Sequence, residues 1–131
     1  MIVVDASVLA NAVGDDGPEG ARARQALRGH ELSAPGLVDV EVLAVLRKRW
    51  LAGDLGDERF ELAVDDLFDV AVTRHPMLAL MLRAAELRAN LSPYDASYVA
   101  LAETLRCPLL TGDRRLASAP GPRCEVRLAE G

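Results

Sequence analysis

The stretch Ile2-Val3-Val4-Asp5-Ala6-Ser7-Val8-Leu9 decides the fold. Three consecutive β-branched apolar residues without polar alternation read as a strand buried on both faces, as in the middle of a parallel sheet. The strand ends at Asp5, and Ser7 is the expected cap of a helix over Val8 to Val13. The same layout returns near the other end of the chain. Leu109-Leu110-Thr111 is a short apolar strand that closes on Gly112-Asp113, and Arg114-Arg115-Leu116 opens a helix.

Between these units the pattern alternates. Gly14 to Pro18 is rich in turn formers and reads as a mobile loop, followed by a short polar helix from Arg22 to Arg28. Leu32-Ser33-Ala34 is a second strand, stopped by Pro35-Gly36. Leu37 to Trp50 is a helix whose first ten residues are so apolar that only Asp39 and Glu41 interrupt them, so it must be buried or paired. A helix from Asp57 to Leu67, a third strand at Val70-Ala71-Val72 and a helix from Met77 to Ala89 follow. Ser92-Pro93-Tyr94-Asp95 then sets a capping hydroxyl, a proline at the first helical position and an acid three residues after the cap. That helix runs to Cys107-Pro108, and Glu125 to Leu128 offers a last strand. Strands alternating with helices predict an α/β fold, one domain over residues 1–131 with a central, mostly parallel sheet covered on both faces.

Composition narrows the function. Of 131 residues, 50% are hydrophobic and 27% charged, the balance of a folded globular chain. No basic leader precedes Ile2, and no apolar run approaches the roughly 20 residues that span a bilayer, so a cytoplasmic protein is expected. Cys107 and Cys124 lack the spacing of a zinc site and are expected as free thiols. The net charge of −5 argues at first against a nucleic-acid partner. It is compatible with one if carboxylates are gathered to hold divalent cations that bridge to phosphate while arginines elsewhere meet the backbone. Only Lys48 among the 15 basic residues is not arginine.

Four acids stand out. Asp5 and Asp113 each end a predicted central strand, where the binding crevice of an open α/β sheet lies. Each also precedes a helix and could serve only as its cap. Asp95 has Leu91, Ser92, Tyr98 and Val99 at helical spacing, a largely apolar neighbourhood, although a capping-box role would suit it as well. Glu41 and Asp39 are both hemmed in by apolar residues and point about 200° apart around their helix, so periodicity does not choose between them.

The segments Val3-Val4-Asp5-Ala6-Ser7-Val8-Leu9, Val40-Glu41-Val42-Leu43, Tyr94-Asp95-Ala96-Ser97-Tyr98-Val99-Ala100-Leu101-Ala102 and Leu110-Thr111-Gly112-Asp113-Arg114-Arg115-Leu116 resemble the four acidic motifs of PIN domains, in order and across nearly the whole chain. The compact length resembles the VapC toxins within that family. The resemblance implies a three-layer α/β/α sandwich in which Asp5, Glu41, Asp95 and Asp113 bind metal, with Glu41 preferred over Asp39. Ser7 and Thr111 match positions that support these acids by hydrogen bonding. It further implies an Mg²⁺- or Mn²⁺-dependent endoribonuclease toxin that hydrolyses RNA to leave a 5′-phosphate, a homodimer, and a VapB-like antitoxin that blocks the site.

Physical chemistry gives a reason for such a cluster. Two carboxylates about 4 Å apart repel by roughly 4 kcal/mol at an effective dielectric near 20, so metal-free acids brought together should include at least one with a raised pKa. Mg²⁺ and Mn²⁺ favour oxygen ligands and remove that cost. Arg114 and Arg115, beside Asp113, are candidates for RNA contact. His30 and His75 are isolated and give no zinc spacing. Two rivals remain: a phosphoryl-transfer or phosphoacceptor domain, and a non-enzymatic binding module whose acids only cap helices. Against the first, Ser7 stands where aspartyl phosphatases place a second Asp, and the sole lysine lies in a helix.

Overall fold

A computed structural model describes residues 1–129. Strands β1 (Ile2–Val4), β2 (Leu32–Pro35), β3 (Val72–His75), β4 (Leu109–Thr111) and β5 (Val126–Leu128) form one sheet in the order β3-β2-β1-β4-β5. All four pairings are parallel, with Val3 opposite both Ser33 and Leu109. β1 is therefore flanked on both sides. Ile2, Val3 and Val4 are buried, as an unbroken apolar strand requires when helices cover both faces.

The helices are α1 (Ala6–Gly14), α2 (Pro18–Leu27), α3 (Val38–Leu51), α4 (Asp57–Asp69), α5 (Met81–Glu86), α6 (Pro93–Leu105) and α7 (Arg114–Ser118). A single 3-10 turn, Leu78–Leu80, leads into α5. Helices α1 to α4 pack together as one group, and α5 packs on α6, which lies against β1, β2 and β4. The result is a three-layer α/β/α sandwich. In α6 every residue from Ala96 to Ala102 is buried, so the helix is enclosed nearly all round.

Several local expectations shift. Asp5, not Ser7, caps α1: its carboxylate accepts from the Val8 amide at 3.2 Å, while Ser7 sits inside the first turn. The segment expected as a loop up to Pro18 instead ends in α2, because Pro18 takes the first helical position, where its missing N–H costs nothing. The Asp15 carboxylate accepts from Gly20 at 2.6 Å and Arg24 donates to the Asp15 carbonyl, which ties the junction down. A side chain at Gly20 would collide with that carbonyl, its Cβ lying 1.9 Å from the oxygen. β3 begins at Val72 rather than Val70, since Val70 ends α4. The helix expected over Met77 to Ala89 is shorter, a 3-10 turn and six residues of α5. Helix α3 buries only the stripe Val38, Val42, Leu46, so Val40, Leu43, Trp50 and Leu51 remain exposed. Among the described residues no helix is long and apolar enough to cross a membrane.

Candidate active site

The carboxyl ends of β1 and β4 lie side by side, with Val4 opposite Leu110 and the Asp5 amide bonded to the Leu110 carbonyl at 3.1 Å. Asp5 leaves β1 there and is only 7% exposed. Ser7 donates to Asp5 Oδ1 at 2.6 Å, and Thr111 donates to Asp5 Oδ2 in a very short bond. Thr111 Oγ1 also accepts from the Asp113 amide at 3.0 Å, while Ser7 Oγ accepts from the Gly112 amide at 3.1 Å. Two hydroxyls thus lock the start of α1 to the loop after β4. Asp113 caps α7 by accepting from the Arg115 amide at 2.8 Å.

The other two acids arrive on helices. Asp95 occupies the first turn of α6, where its amide donates to the Ser92 hydroxyl at 3.2 Å. Glu41 lies in the first turn of α3 and accepts from the Tyr98 hydroxyl at 2.7 Å. Asp39, the rival acid on α3, faces elsewhere: Arg74 of β3 holds both its oxygens, with the shortest contact at 2.8 Å. Periodicity left this choice open, and the ion pair separates the two.

Electrostatics show that the four acids share one region. Burial pushes the Asp5 carboxyl above the usual carboxylate range, against the lowering effect of its hydrogen bonds to Ser7, Thr111 and backbone amides. Burial also raises Glu41, where the Tyr98 hydrogen bond opposes it and the charges of Asp95 and Asp5 add to it. Asp95 is raised by burial and by the negative charges of Asp113 and Asp5, with Arg115 pulling the other way. Like-charge repulsion thus acts on Glu41 from Asp95 and Asp5, and on Asp95 from Asp113 and Asp5. The cluster is loose: among the described residues no group of three His, Cys, Asp or Glu side chains is assembled to hold an ion by itself.

Arg115 is exposed, and its charge is felt at Asp95; Arg114 is exposed beside it. His75 lies on β3 against Ser33, and His30 is exposed. Cys107 and Cys124 are free thiols, and burial raises both above the usual thiol range, Cys124 to about 11.

Sequence reasoning counted Tyr98 only as part of the largely apolar neighbourhood of Asp95 and missed its bond to Glu41. A usable signal existed. A tyrosine followed by the apolar run Val99-Ala100-Leu101-Ala102 in a helix expected to be buried must find a partner for its hydroxyl.

A parallel α/β sandwich with Asp5 and Asp113 at the carboxyl ends of neighbouring strands, and with Glu41 and Asp95 on helices that feel their charge, is the arrangement of a PIN domain. The PIN domain profile matches residues 2–122, and the chain belongs to the PIN-domain family. It is 44% identical over 126 residues to a protein named ribonuclease VapC9 from Mycobacterium tuberculosis, covering 96% of each chain. Its fold is similar to the crystal structure of Mycobacterium tuberculosis VapC20, a toxin described as cleaving the sarcin-ricin loop, with a TM-score of 0.70 and 16% identity over 90% of this chain and 94% of that one. It is also similar to a chain of the VapBC2 complex from Rickettsia felis bound to a promoter DNA fragment, with a TM-score of 0.66 and 12% identity over 98% of both.

Proposed function

We propose that this chain is a metal-dependent endoribonuclease toxin of the VapC kind that hydrolyses phosphodiester bonds in RNA. The observation that carries the reading is that Asp5 and Asp113 follow two adjacent parallel strands, β1 and β4, joined by the Thr111 hydroxyl, with Glu41 and Asp95 on helices within reach of their charge. Folding stability alone gives no reason to gather these acids. The name and 44% identity of the mycobacterial ribonuclease support the same activity.

The donor set is oxygen only, which suits Mg²⁺ or Mn²⁺. Asp5, Glu41, Asp95 and Asp113 are the residues that would hold it. A bound divalent cation supplies an activated water and neutralises charge that builds on the phosphate. Ser7 and Thr111 hold the Asp5 carboxylate in one orientation, so its oxygens need no reorganisation when substrate arrives. Arg115, and Arg114 beside it, would draw the RNA backbone towards Asp95 and Asp113 and offset their repulsion of phosphate. The reaction proposed is hydrolysis of the P–O3′ bond, which would give a 5′-phosphate and a 3′-hydroxyl.

A toxin needs restraint, and a VapB-like antitoxin is the proposed partner, supported by the fold shared with a chain of the Rickettsia felis VapBC2 complex. The exposed Val40, Leu43, Trp50, Leu78 and Leu82 give apolar surface for that protein and for a homodimer. A cytoplasmic location accords with an RNA substrate.

The test is cleavage of RNA by the purified chain with Mg²⁺ or Mn²⁺, and with excess chelator. Wild type should cut only with metal. Asp5→Asn should lose about 100-fold or more of the rate while melting at an equal or higher temperature, because it removes a buried charge. Chelator-resistant cleavage, or a fully active Asp5→Asn, would refute the reading.

A further inference from the structure

We infer that Tyr98 is a positioning residue: its buried phenol anchors the Glu41 carboxylate on the acidic rim. This inference rests on the ribonuclease reading and deepens it.

Tyr98 and Asp95 are three residues apart on α6 and so share one side of that helix. Asp95 reaches the rim directly. Tyr98 stays inside, only 2% exposed, and extends its hydroxyl to Glu41 Oε1 at 2.7 Å across 57 positions of sequence. Tyr98 is among the largest fully buried side chains of the protein, and close packing of this kind holds a ring in one orientation. One rigid helix thereby places two of the four acids, one through its own side chain and one by holding it.

Glu41 needs such an anchor more than the others do. Asp5 is short and held by Ser7, Thr111 and the Val8 amide, and Asp113 is held at the cap of α7. Glutamate has one more rotatable bond than aspartate, and Asp5 and Asp95 both repel this one. Without a donor, the Glu41 carboxylate would relax outward into water, where charge repulsion is screened. A phenol suits this role, because it donates to one oxygen, carries no charge to compete for the cation, and leaves the second oxygen available.

The experiment measures Mn²⁺ affinity by calorimetry on the purified chain, alongside kcat and KM for RNA and the melting temperature in chelator. Tyr98→Phe keeps the ring and removes only the donor. Its Mn²⁺ affinity is expected to fall by about 10–100-fold. Its kcat should drop at low Mn²⁺ and recover as Mn²⁺ is raised, with KM for RNA unchanged. In a Glu41→Gln background the same substitution should cost nothing further, because the two residues act as one unit. If Tyr98→Phe melts low in chelator, the affinities of wild type, the two single variants and the double variant are compared at a temperature where all four remain folded. Wild-type Mn²⁺ affinity in Tyr98→Phe, or an undiminished effect of that substitution beside Glu41→Gln, overturns the inference alone. A wild-type chain that neither binds Mn²⁺ nor cleaves RNA overturns the ribonuclease reading together with it.

Discussion

The Thr111 hydroxyl donates to Asp5 although the two residues are 106 positions apart, and it accepts from the Asp113 amide at 3.0 Å. One side chain thus orients the acid that ends β1 and the loop that carries the acid after β4. Thr111 is fully buried. Thr111→Val keeps its shape but strands both partners, at an expected cost of about 1–3 kcal/mol of stability. RNA cleavage should fall in the same variant, and Thr111→Ser, which restores the hydroxyl, should recover most of both losses. Denaturant melts and initial rates on the three chains check this; a Val variant as stable and active as wild type would leave the hydroxyl without a role.

The raised acids make stability depend on pH in a definite direction. A carboxyl whose folded pKa lies above its unfolded value holds its proton more tightly in the folded chain. Its contribution is fully present below the unfolded value and is lost as pH rises through the folded one. Asp5, Glu41 and Asp95 are all of this kind. In chelator, wild type should lose stability relative to Asp95→Asn as pH climbs from about 4 towards neutrality. Excess Mn²⁺ should narrow that gap by favouring the ionised acids. Parallel melting curves for the two chains across this range would show that the Asp95 carboxyl is not raised in the folded chain.

Asp39 and Glu41 differ by two positions and by everything that touches them. Asp39→Ala breaks a partly exposed ion pair with Arg74, side-chain exposures 42% and 31%, and should cost only about 0.2–1 kcal/mol. Its cleavage rate should match wild type. Glu41→Gln should do the reverse, losing activity while the fold stays as stable. Rates and melting temperatures for the pair decide it, and an inactive Asp39→Ala would move the site along α3.

Arg115 is exposed, carries the charge opposite to the acids and is the proposed contact for the RNA backbone. Arg115→Ala should raise KM and lower the slope of log affinity against log salt by about 0.7, the loss of one phosphate contact on a single strand. The measurement is RNA binding to a cleavage-dead Asp5→Asn chain at several salt concentrations. An unchanged slope would remove Arg115 from the backbone path.

Much of this was legible in one dimension. Ile2-Val3-Val4 and Leu109-Leu110-Thr111 announce buried strands because both faces of a central parallel strand select the same residues, and Ser92-Pro93 marks the start of α6 by local chemistry. Edge strand β3 was harder. Its residues Thr73, Arg74 and His75 are polar or partly exposed, so hydrophobicity alone pointed two residues too early. The choice of Glu41 over Asp39 rests on Tyr98 and Arg74, partners dozens of residues away that helical periodicity does not encode. Arg115 was singled out by its place next to Asp113, yet its influence on Asp95 arises only from the docking of α6 beside α7's end of the sheet.

Because β4 enters the sheet beside β1, a copy still emerging from the ribosome carries Asp5 long before Thr111 and Asp113 exist to meet it. Closing that contact waits for nearly the whole polypeptide. On the proposed reading, activity towards RNA can begin only once β4 has joined the sheet and brought Asp113 and the orienting hydroxyl to Asp5.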